Sequence, residues 1–147
     1  MERLSGGIWA FAQAIYARPG FAPAALELQD RWSGDVCLLI ALLWHADQGT
    51  CPDEAGLAAL EAEAAPWRTA VVEPLRAARR AMKAEPAAQE LRARVQALEL
   101  EAERTLLERL AVVPIQARGT LPASLLAYAT RLGAPAEAMA AFMPSSA

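Results

Sequence analysis

His45 is the single histidine of a 147-residue chain, which removes most of the reactions that a side-chain base could run. A Ser–His–Asp site would have to use it, yet no Gly-x-Ser-x-Gly elbow is present to offer a nucleophile. The residue follows directly on an apolar run, so a capped or core-edge imidazole is its expected role. Cys37 and Cys51 have no second thiol or histidine at ligand spacing, which argues against structural zinc. Glu27, Asp30, Glu99 and Glu103 could be gathered into a carboxylate metal cluster inside a bundle. The di-metal pattern, however, needs two Glu-x-x-His pairs, and one histidine cannot supply them. No phosphate-cradling or dinucleotide glycine pattern occurs. The chain is therefore expected to use no catalytic residue, no metal and no cofactor.

Charge spacing is more informative than nucleophile content. At about 100° per residue, Arg68, Arg76, Arg79, Arg80 and Lys83 share one helical face. That face lies beside an apolar stripe of Trp67, Val71, Leu75, Ala78 and Met82. In the next helix Glu90–Arg94, Glu101–Arg104 and Arg104–Glu108 are spaced for pairing within the helix. Glu99 and Glu103 instead stand four apart as like charges, with no cation three or four residues away. They need cations from elsewhere. Folding the two helices antiparallel about Ala84 and Glu85 predicts the ion pairs Arg68–Glu103 and Arg76–Glu99. Arg79, Arg80, Lys83, Arg92 and Arg94 then form either a solvated face or a partner- and anion-binding surface. Gln29, Asp30 and Trp32 either line a groove or, for the two polar residues, bond the start of the following helix.

The elements that must hold these residues are helical throughout. The apolar run of residues 36–44, opening on Val36 and closing on Trp44, carries no polar side chain. It is too short for a bilayer, which takes about 20 such residues, and lacks the polar face of a surface helix. It reads as a central rod wrapped by the others, with Asp35 as N-cap and Gly49 at the C-terminal cap. Ser5 is expected to cap a first helix presenting Ile8, Phe11, Ala12 and Ile15, and Pro23 to open a second. Thr50 and Asp53 suggest a capping box before a helix with Leu57, Leu60 and Ala64. Pro66 is expected to restart the chain as a fifth helix, kinked at Pro74. Pro86 begins the longest helix, whose stripes are Leu91, Val95, Leu98 and Ala102 on one side and Ala93, Leu100 and Leu107 on the other. Thr120 caps another helix with Leu125, Tyr128 and Leu132, ended by Gly133, and residues 136–142 are expected to add a turn or two. No stretch alternates with the period of a strand. The expected fold is all-α: a compact bundle of about six to eight helices around the rod, with a long charged antiparallel hairpin. Residues 1–143 are expected to form one domain and residues 144–147 a frayed tail.

Composition sets the outer bounds. A 55% hydrophobic content is incompatible with a disordered chain. Much of it is alanine, so Trp9, Trp32, Trp44, Trp67 and the leucines must supply the core. A net charge of −3 weighs against general nucleic-acid binding. Two cysteines and the absence of a signal-peptide pattern at the N-terminus point to a cytoplasmic protein with reduced thiols.

In LELQDRWSGDVCLLIALLW, then WRTAVVEPLRAARRAMK, then LELEAER, the chain resembles an uncharacterised proteobacterial family catalogued as domain of unknown function 2390. The similarity covers about residues 8–132. In that family's pattern Asn is common where Cys37 stands, and Cys where Ala25 stands. The resemblance implies a small cytoplasmic bacterial protein and brings no activity or catalytic residue.

The residues themselves favour a non-catalytic protein-interaction module, binding another protein or a second copy of itself. Nucleic-acid or anionic-ligand binding through the basic face comes second. A small-molecule enzyme with a pocket lined by Asp30 and Glu99 comes third. No membrane association is expected.

Overall fold

A computed structural model describes residues 7–116 and 119–144. Ser5, expected to cap the first helix, lies outside the described residues. Seven α-helices follow one another: α1 (Ile8–Tyr16), α2 (Phe21–Trp32), α3 (Val36–Asp47), α4 (Glu54–Trp67), α5 (Glu73–Ala81), α6 (Gln89–Ala111) and α7 (Leu121–Leu132). Short 3-10 turns at Pro86–Ala88 and Ala136–Phe142 complete the order, and no strand occurs among the described residues.

The apolar rod is α3. Asp35 caps it by accepting from the backbone N–H of Cys37 at 2.9 Å and of Leu38 at 3.3 Å. Every residue from Cys37 to Leu43 is buried, so no face of the helix meets water. Helices α1, α2, α4, α6 and α7 all pack on it. One core cluster runs from Ile8 in α1 to Phe142 beyond α7. The corner into α3 is tight. Ser33 ends α2 in the left-handed region at φ 57°, and a Cβ on Gly34 would stand 2.7 Å from Leu28 Cγ. Only glycine lets the chain turn so closely over α2.

Three local expectations change. Thr50 does not cap α4: its hydroxyl donates to the carbonyl of His45, and Asp53 alone accepts from Gly56 N. Pro23 does not open α2, which starts two residues earlier behind a left-handed Gly20. The chain does not restart at Pro66 either. Helix α4 runs through it, and a π turn at Arg68–Val72 joins α4 directly to α5. The N–H of Glu73 bonds the carbonyl of Arg68, five residues back. Pro74 has no N–H to give, and the wide turn lies immediately before it, at the place where the kink is expected.

Helices α5 and α6 form the antiparallel hairpin. Its outer part is thinly covered: α5 has no buried residue, and α6 has none before Glu99. The second apolar stripe of α6 is split, with Leu107 buried and Leu100 exposed. No helix of the described residues is long and apolar enough to cross a membrane.

Truncating the rod should be costly because it has no free side onto which the core could relax. Leu42→Ala is expected to lower unfolding free energy by about 3 kcal/mol, read from urea denaturation; Leu91→Ala on the hairpin should change it far less.

Candidate functional site

Two charged networks sit where the hairpin joins the bundle. The first centres on Asp35. Its Oδ1 caps α3, and its Oδ2 accepts from Arg68 Nε at 2.8 Å. The remaining guanidinium nitrogens of Arg68 grip Glu61 in α4, at 2.7 and 2.8 Å. Tyr128 of α7 accepts from the backbone N–H of Asp35 at 2.8 Å and donates to its carbonyl at 3.3 Å. Hydrogen bonding to Glu61 and the two neighbouring carboxylates hold the Arg68 guanidinium charged, against the penalty of burial. Burial, then the charge of Asp35, pushes the Tyr128 hydroxyl well above its ordinary value. Fork-shaped pairing of this kind is why arginine, and not lysine, suits position 68.

The second network centres on Glu99, which is 5% exposed. Arg76 reaches its Oε2 at 3.3 Å, and Arg79 reaches both of its oxygens. Burial acts to raise the Glu99 carboxyl, but Arg79 and Arg76 outweigh it and hold the group below the ordinary carboxylate range. Glu103 is treated differently. Among the described residues its one ion-pair contact is Arg76, at 3.8 Å. Burial first, and the charge of Glu99 second, push its carboxyl up to about 7.

Arg76 and Glu99 are thus brought together. Arg68 and Glu103 are not, which corrects the expected pair. Arg68 turns to Asp35 and Glu61, because the π turn inserts extra backbone between it and Arg76 and rotates the two arginines onto different neighbours. Among the residues of the basic face, Arg79 is taken by Glu99 and Arg80 by Asp30 at 3.2 Å. Lys83 and Arg94 are exposed without an ion pair among the described residues. Arg92 is half-buried, and its Nε has no hydrogen-bond partner.

Gln29 and Asp30 do line a cavity of about 310 Å³, with Ser33, Gly34 and Asp35 on the same side. The opposite wall is Arg68, Val72, Glu73, Arg76, Ala77 and Arg80. Trp32 is not part of it; Arg31 lies over its ring, 5.1 Å from the centroid. The lining carries three arginines and three carboxylates (Asp30, Asp35 and Glu73), which balance in formal charge. A second cavity, of about 560 Å³, is lined by Arg79, Gln96, Glu99, Leu100 and Glu103 with Ala93 and Ala97.

His45 is buried and its Nε2 lies 3.0 Å from the Leu110 carbonyl, which makes that nitrogen the donor. Burial lowers its pKa, so the ring is neutral and its role is to join α3 to α6. Cys37 is buried beneath Glu103, and burial pushes its thiol well up, away from a nucleophilic thiolate. Among the described residues no group of three His, Cys, Asp or Glu is placed to hold a metal ion. Sequence reasoning missed Asp35, Glu61 and Tyr128 as one network. Only the capping position of Asp35 carried a local signal.

A family model described as "Protein of unknown function (DUF2390)" matches residues 7–110. No curated protein and no solved structure matches the chain. The matched span contains both charged networks except Tyr128.

Glu103 gives the site a pH signature with a definite sign. Its folded pKa lies above the ordinary Glu value, so the folded state holds this proton more tightly than the unfolded chain does. The resulting stabilisation is complete below the ordinary value and is lost as pH rises through about 7. Glu103→Gln should match wild type in mild acid and exceed it above neutrality, by on the order of 1 kcal/mol. Urea midpoints of both proteins across that pH range check it.

Proposed function

The chain belongs to the DUF2390 family, and because that membership names no activity, we propose from the geometry that it is a non-catalytic interaction module whose working face is the α5–α6 hairpin. The observation that carries this reading is where the apolar residues of the hairpin lie. Leu91 and Leu98 are each 51% exposed on a helix whose neighbours there are charged. Leu26 on α2 and Leu126 on α7 are exposed to a similar degree, so the hairpin stands out by concentration: Leu91, Leu98 and Leu100 are all exposed on one helix, whereas α3 buries every leucine it has. A hairpin that spends large apolar side chains on solvent is using them for contact with something else.

The same geometry weakens the other readings. An anion-binding face needs uncommitted cations, and Arg79 and Arg80 already hold Glu99 and Asp30. Lys83, Arg92 and Arg94 share the hairpin tip with Glu85 and Glu90. A catalytic reading needs a base or nucleophile in one of the cavities. His45 and Cys37 are both committed to the interior, and Glu103, the candidate base on the cavity of about 560 Å³, has no serine, cysteine or histidine beside it in that lining to act as its nucleophile. The free thiols Cys37 and Cys51 fit a reducing compartment, so the module is proposed to act in the cytoplasm.

Quantitative capture from a lysate of the native source, with wild type and Leu91→Glu/Leu98→Glu as parallel baits, tests the reading. Both sites are exposed, so the variant should keep wild-type helicity and melting behaviour. The reading expects a defined set of proteins, the chain itself included, that wild type enriches at least tenfold over the variant (about 1.4 kcal/mol). Identical sets for the two baits would overturn it.

A further inference from the structure

Resting on that reading, we infer that the hairpin's partner is a second copy of this chain, docked antiparallel along α6 about a two-fold axis beside Leu98. The stripe that carries this inference is Leu91, Arg94, Leu98, Glu101 and Thr105, at spacings of three, four, three and four. At about 100° per residue these positions share one side of the helix. The first four are exposed, and Thr105 is half-buried. The stripe is centred on Leu98, with a cation one turn before it and an anion one turn after it.

That arrangement is complementary to itself. Laying a second α6 antiparallel against the first puts Leu98 on Leu98 of the second copy. Arg94 then comes level with Glu101 of the second copy, and Glu101 with its Arg94. Leu91 falls two turns from the centre, over Thr105 of the second copy. The two arginines end about two turns apart, so like charges do not meet. An isologous interface requires this reciprocity, each residue finding its counterpart twice.

Two further observations support the same occupant. Neither Arg94 nor Glu101 is in an ion pair among the described residues, although Glu90 and Arg104 stand within a turn of them. Arg104 instead holds Glu108 at 3.1 Å and lies over Trp9. Both charges of the stripe are thus left available for a contact outside the chain. The hairpin is also half of a familiar arrangement. From Glu73 to Leu98 no residue is buried, so α5 and the outer part of α6 form a two-helix layer with one face uncovered. A second such hairpin closes it as a four-helix bundle. One helix-on-helix seam is smaller than the roughly 800 Å² per partner of a typical stable interface. The dimer should therefore be weak, with a dissociation constant on the order of micromolar.

Sedimentation velocity of the full chain across the micromolar range tests this, with Arg94→Glu, Glu101→Arg, the double charge swap, and Leu98→Glu. Wild type should pass from monomer to dimer as concentration rises, and added salt should weaken it. Each single charge reversal should raise the dissociation constant at least tenfold by facing like charges. The double swap should return it to near wild type, because it exchanges the two ends of a symmetric pair. Leu98→Glu should leave only monomer. Circular dichroism of every variant checks that the fold persists. A monomer at all concentrations, or a dimer indifferent to Leu98→Glu, or charge reversals that the double swap does not rescue, overturns the self-pairing. If those results come with other proteins still lost by the Leu91→Glu/Leu98→Glu bait, self-pairing fails while the interaction reading stands.

Discussion

The ion pair between Asp35 and Arg68 is the constraint on which the rest of the molecule depends. One carboxylate does two things at once: its first oxygen satisfies orphan N–H groups at the start of α3, and its second holds the guanidinium of the π turn. Arg68 carries the connection on to Glu61, and Tyr128 grips the backbone of Asp35 from the other side. The start of the buried rod is thereby tied to α4, to the π turn and to α7. Both charges are largely withdrawn from water, where a solitary one would be costly. Loss of either partner therefore costs more than the pair itself contributes.

From that clamp outward the structure changes character. Glu99, held by Arg76 and Arg79, is the last buried residue of the hairpin on the α6 side. Beyond it the chain builds helix from alanine, arginine and glutamate, residues with good intrinsic helical propensity and little to bury. The division is physical. Apolar side chains concentrated in α3 stabilise the bundle, while Leu91, Leu98 and Leu100 on the outer hairpin are about half exposed and contribute less within a single copy. The charged seam between the two regions aligns the hairpin at its base and leaves its far end open.

Much of this could be read from residue order, and for identifiable reasons. The rod announced itself by nine successive apolar positions, and its Asp35 cap by residue type. The demand of Glu99 for cations followed from a like charge four residues on with no basic neighbour. The capping of α7 by Thr120 and its left-handed stop at Gly133 were likewise local signals. What was not legible was non-local. The expected Arg68–Glu103 pair rests on regular helix from Trp67 onward. A π turn breaks that period without leaving any mark in composition. Tyr128 meets Asp35 across 93 residues of chain, and no spacing rule reaches so far. Gln29 and Asp30 suggested a groove, but its opposite wall is built by arginines some forty positions away, and Trp32 turned out to lie outside it.

The most direct test is a double-mutant cycle on the clamp, using Asp35→Asn and Arg68→Met. Asparagine keeps a capping oxygen for α3 and removes the charge, so the cycle isolates the ion pair from the cap. The account predicts a coupling free energy of roughly 1–3 kcal/mol in urea unfolding. It also predicts faster amide exchange across the π turn in each single variant. A coupling near zero, with exchange there unchanged, would contradict it.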